Sequence, residues 1–78
     1  LASQGNYSEA IEHYREALRG NPDFAEAHNN FGNALLAVGK TAEAVEHYRA
    51  AIKLRPEFKE AAGNLGIALS RDKDKGRR

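Results

Sequence analysis

Apolar side chains recur along the chain at helical spacing. In 8–20, Ala10, Ile11, Tyr14, Ala17 and Leu18 fall at i, i+1, i+4, i+7 and i+8, which is one face of a helix. Ala44, Val45, Tyr48, Ala51 and Ile52 repeat that stripe in 42–54. A second stripe, Ala27, Phe31, Ala34, Leu35 and Val38, runs through 24–38, and Ala61, Ala62, Leu65, Ala68 and Leu69 echo it in 58–71. No segment alternates with period two, so no strand is predicted. The punctuation agrees with four helices. Pro22 and Pro56 close the helices before them, because proline has no N–H and clashes with the preceding turn. Asp23 followed by Glu26 is a start signal, Gly39 is expected to end a helix in the left-handed conformation, and Thr41 is expected to cap the next.

The two stripes belong to one repeat. Sliding the sequence by 34 residues makes 16 of the 31 pairs between 5–35 and 39–69 identical, where ordinary composition gives roughly two. The segments 24–38 and 58–71 form one helix type, A, and 8–20 and 42–54 another, B. The order is B-A-B-A. Gly32 and Gly66 share a repeat position in mid-helix, where glycine costs about 1 kcal/mol against alanine. Their retention predicts that a side chain at either would collide with a neighbouring helix. Ala10, Ala17, Ala44 and Ala51 predict close approach on the other type.

These residues carry a family resemblance. His28-x2-Phe31-Gly32-x2-Leu35…Ala44-x3-Tyr48…Pro56 at period 34 resembles the tetratricopeptide repeat (TPR) pattern W-x2-L-G-x2-Y…A-x3-F…P. His28 and Ala62 stand in place of Trp, Leu35 and Leu69 in place of Tyr, and Tyr48 in place of Phe. The resemblance implies an all-α fold: a TPR-type helical-hairpin solenoid fragment of four antiparallel helices with right-handed winding. The repeat domain is expected over 1–71, as a partial repeat 1–24, a full repeat 25–58 and the first helix of another, 59–71. Residues 72–78 read as a charged C-terminal tail. In a solenoid each element buries its face against neighbours. The outer helices are therefore expected to expose Ile11, Tyr14 and Leu18 at one end and Leu65, Ile67 and Leu69 at the other.

Composition narrows the function. Of 32 apolar residues, 14 are alanine, so thin helices packed closely replace a bulky core. Zero cysteines exclude a disulfide framework and a thiolate zinc site. No apolar run reaches the roughly 18–20 residues a membrane span needs, and no signal-peptide pattern is present. A cytoplasmic setting is expected, without a membrane partner. Leu1 in place of Met suggests a piece of a longer chain. The net charge of +1 conceals a split: 71–78 hold five basic and two acidic side chains, leaving seven basic against nine acidic in the rest. A mildly acidic body is not a duplex-binding footprint, and no aromatic residue interleaves with the basic tail for base stacking.

Candidate catalytic chemistry is thin. Gly39-Lys40-Thr41 resembles the end of a phosphate-binding loop, but Ala34 stands where its first glycine would be and no strand precedes it. Glu9/His13 and Glu43/His47 have metal-ligand spacing at i, i+4, yet lie off the apolar stripes and read as solvated outer-face pairs. His28, in the bulky slot of its helix, reads as a packing residue with a polar edge. Ser3, Ser8 and Ser70 have no paired His and Asp nearby. The chain is read as a non-enzyme, with no cofactor and no metal.

Asparagine is the informative polar residue. Asn29, Asn30 and Asn33 stand on one A helix and Asn64 takes the place of Asn30 on the next, although Asn is a poor helix former. An amide offers donor and acceptor together and can hold an extended backbone of any sequence. In the TPR family an asparagine at this point of the concave A-helix face is a backbone-holding device, a role the resemblance implies for Asn30 and Asn64. Glu26, Asn29, Asn33, Glu60, Ile67 and Arg71 are further groove candidates. The family's chaperone-carboxylate clamp is not implied, since Glu60 and Asn64 occupy positions where it has Lys and Arg. The asparagines are more similar to the long superhelical arrays attached to O-linked N-acetylglucosaminyltransferases. The leading expectation is a protein–protein interaction module that binds an extended peptide or a partner helix in its groove. A second is a self-associating fragment, dimer or head-to-tail chain, joined through Ile11, Tyr14, Leu18, Leu65 and Leu69. A third is a substrate-docking part of a larger enzyme such as a glycosyltransferase.

Overall fold

A computed structural model describes residues 4–76, with side chains for 6–73. Ser3 and the tail residues Arg77 and Arg78 lie outside the described residues. Four helices follow one another: α1 (Gln4–Gly20), α2 (Ala25–Ala37), α3 (Thr41–Leu54) and α4 (Lys59–Gly76). No strand occurs among the described residues. Each helix packs on the next in sequence, and α2 touches α4 along one edge. The result is an all-α, TPR-type stack of helical hairpins, a slab of 38 × 31 × 19 Å. None of its helices is long and apolar enough to cross a membrane.

Helix boundaries follow from the connecting turns, with two corrections at the caps. Asp23 does not cap α2 with its side chain: Phe24 is the cap residue, in extended conformation. Thr41 is the first residue of α3 and is buried, and Lys40 holds the cap position without a side-chain bond. Gly39 does take the left-handed conformation, at φ 87°. The Gly39 N–H donates to the Leu36 carbonyl at 3.1 Å and the Lys40 N–H to Leu35 at 2.8 Å. That is a Schellman cap, which satisfies two carbonyls the helix end would orphan. The proline turns are built alike in both repeats: Asn21 and Arg55 N–H donate to Ala17 and Ala51 at 2.9 Å, and Phe24 and Phe58 N–H donate to Asn21 and Arg55.

Two helices outrun their stripes. α1 starts at Gln4 because Tyr7, half-buried against the core, adds a turn to the Ile11–Tyr14–Leu18 stripe. α4 runs through Gly76, not 71. Under the 34-residue shift the place of Gly39 falls to Lys73, which has no reason to leave the helical region.

The main core joins Ile11 with Phe31, Ala34, Leu35, Ala44, Val45, Tyr48 and Ala68, and a smaller one joins Ala25, Ala51, Phe58 and Ala61. Its centre is a close approach of α2 and α3. A Cβ built on Gly32 would lie 2.6 Å from Cε1 of the fully buried Tyr48 ring, so only glycine admits the ring there. Gly66 departs from this expectation: a Cβ there would meet nothing within 4 Å, because no described helix lies over that face of α4. The expected exposure of the end helices needs correction too. Ile11 is buried at 8% exposure because α1 turns it onto α2, and Tyr14, Leu18 and Leu65 are half-buried against the same core. Ile67 and Leu69 are exposed, at 51% and 40%.

Candidate functional site

The A helices α2 and α4 share a polar face on which the amide side chains meet. Helical spacing aligns Glu26, Asn30 and Asn33 along α2 and Glu60, Asn64, Ile67 and Arg71 along α4, at steps of three and four. Hydrogen bonds tie three helices at the centre of this face. Tyr48 Oη on α3 donates to Asn33 Oδ1 at 2.6 Å. Asn64 Nδ2 donates to Asn33 Oδ1 at 3.2 Å and to Asn29 Oδ1 at 3.1 Å. Burial pushes the Tyr48 phenol above its ordinary range, against a smaller opposing pull from Arg71, so it remains a donor at neutral pH.

The network sorts the predicted groove residues. Asn29 is buried at 5% exposure, where its carbonyl oxygen receives Asn64, so it is a link between helices and does not reach the open face. Asn64 is half-buried, with Nδ2 engaged internally and Oδ1 left over. Asn33 is exposed, and its engaged oxygen leaves Nδ2 unused. Asn30 is exposed and its side chain has no hydrogen-bond partner among the described residues. Glu26 faces Arg55 Nη1 at 3.6 Å, with both side chains substantially exposed. Glu60 and Arg71 are exposed, and Ile67 adds an apolar element beside them.

A second polar constellation escaped the sequence reading. His47, expected on a solvated outer face, is half-buried, and its ring stacks on His28 (centroids 5.3 Å apart) and tilts against Phe31 at 4.1 Å. Nδ1 of one histidine lies 3.1 Å from Nδ1 of the other, and His28 Nε2 lies 2.9 Å from the Pro22 carbonyl. The carbonyl can only accept, so His28 carries its proton on Nε2. In the neutral pair, His47 Nδ1–H then donates to His28 Nδ1. Burial first, and His28 second, hold His47 below its usual 6.5. The available signal was positional: the two residues lie on either side of the Gly39 turn, on consecutive helices of one hairpin, which can bring their side chains together. Glu43 pairs with Arg15 at 3.5 Å, joining α1 to α3. Among the described residues no three His, Asp or Glu side chains gather where a metal ion could be held.

The comparisons with known proteins agree with this architecture. A family model described as "TPR repeat" matches residues 1–39, half of the chain, and one described as "Tetratricopeptide repeat" matches residues 25–58. No curated protein matches the chain. Period, helix pairing and glycine–aromatic contact converge with these matches, and the chain belongs to the tetratricopeptide repeat family.

Proposed function

We propose that this TPR scaffold holds an extended peptide, or a partner's helix, across the shared face of α2 and α4. Tetratricopeptide repeats are protein-interaction scaffolds and typically non-catalytic. The observation that carries the finer reading is the division of labour among the amides. Asn33 and Asn64 each spend one end of the side chain on the fold and keep the other unused, and Asn30 keeps both. Unused donors and acceptors side by side can pair with the N–H and C=O groups of a bound backbone whatever its side chains are. Ile67 offers an apolar contact, while Glu60 and Arg71 offer opposite charges that would select among sequences.

A peptide-library pull-down tests the reading. The exposed Asn30 side chain makes no hydrogen bond among the described residues, so Asn30→Ala is expected to leave the melting curve nearly unchanged and to weaken capture about five- to tenfold, the worth of one net hydrogen bond. Asn30→Ala/Asn64→Ala should weaken it further. Capture that survives both substitutions unchanged would remove the amides from the binding role.

A further inference from the structure

The 34-residue echo allows each helix face to be compared with its counterpart. On α2, Phe31, Gly32 and Leu35 are buried against α3 and α1, and Asn29 is buried where it meets Asn64 of α4. Their counterparts on α4, Gly63, Gly66 and Leu69, are exposed, and Leu65 is only half-covered. The face left open on α4 is thus the face that α3 covers on α2. α1 shows the complementary pattern. Tyr48, Ala44 and Ala51 on α3 are fully buried, whereas on α1 their counterparts Tyr14 and Ala10 are half-buried and Ala17 is exposed. Phe24 is 42% exposed where its counterpart Phe58 is 8% exposed.

We propose that the chain associates head to tail with a second copy of itself, the α1 face of one copy seating on the α4 face of the next. Tyr14 then lies against Gly66 as Tyr48 lies against Gly32, where the absence of a Cβ admits the ring. Charge supports this occupant. Arg15 on α1 pairs with Glu43 on α3 at 3.5 Å. The same step along the repeat sets Arg49 of one copy opposite Glu9 of the next, and both are exposed and without an ion pair among the described residues. One position is poorer than its model: Ile67 stands where Asn33 accepts the Tyr48 hydroxyl, so Tyr14 gains no such bond and the contact is weaker than the internal one. Because the two faces differ, the contact is heterologous and extends into chains or closes into rings larger than a symmetric dimer.

Sedimentation across a concentration series, with circular dichroism on each variant, tests this. The mass is expected to rise with concentration past two copies. Gly66→Ala has open space within a single copy and removes a mid-helix glycine, so it should keep or raise helix content. It should nonetheless weaken association about tenfold by filling the seat of the ring. Glu9→Arg and Arg49→Glu should each weaken association about threefold, and the two together should restore it. A chain that stays monomeric throughout overturns the proposal. So does assembly that Gly66→Ala leaves untouched, or a charge exchange that fails to recover.

Discussion

At Gly32 a methyl group would sit 2.6 Å from a tyrosine ring that has no exposed surface and hence nowhere to retreat. Gly32→Ala should therefore destabilise the fold by about 1–3 kcal/mol, even though alanine is the better helix former. Urea unfolding would read the loss, and a stabilised variant would contradict the packing described. The histidine pair makes a second residue-level prediction, for pH. His47 is held below its usual 6.5 in the fold, so the unfolded chain binds more protons as the pH falls toward and below that value. The stabilisation is present above about 6.5 and is lost as the pH drops through the depressed folded value. The melting temperature should fall on acidification from pH 7 to 5, and His47→Gln should flatten that part of the profile.

Elements in this chain end where a particular residue releases the backbone. Gly39 supports a Schellman cap at φ 87°, a region that costs a side-chain-bearing residue roughly 1–2 kcal/mol. Its repeat counterpart is Lys73, and α4 duly continues to Gly76. Lys73→Gly is expected to free the amides of 73–76 for rapid hydrogen exchange while leaving 59–70 protected. Unchanged protection would mean that something other than the lost glycine sustains the last turns. The existence and type of all four helices were legible from their stripes. The first turn of α1 was not, because only the packing of Tyr7 on the core justifies it.

For the whole molecule, nearest-neighbour packing governs stability. α2 and α3 are each covered on two sides, whereas α1 rests chiefly on α2 and α4 chiefly on α3. Local opening free energies should follow this order, as in quasi-one-dimensional repeats. Native-state hydrogen exchange should find the slowest amides in α2 and α3 and the fastest helical ones in α1 and the far end of α4. Uniform protection would point to cover on the outer helices, which the head-to-tail contact would supply at high concentration.

Period, composition and punctuation were properties of the chain itself: 34-residue spacing, alanine in the thin positions, and proline and glycine at the turns determined four helices in B-A-B-A order. They also singled out the asparagines Asn29, Asn30, Asn33 and Asn64 as a group, and the family resemblance implied a groove role for Asn30 and Asn64. What each repeated residue does was decided only in three dimensions. Gly32 lies under a ring and Gly66 does not, Asn29 is enclosed while Asn30 is open, and His47 has a histidine partner that His13 lacks. A sequence echo assigns equal positions, but contact depends on which helices actually lie alongside, and the two copies of the repeat have different neighbours.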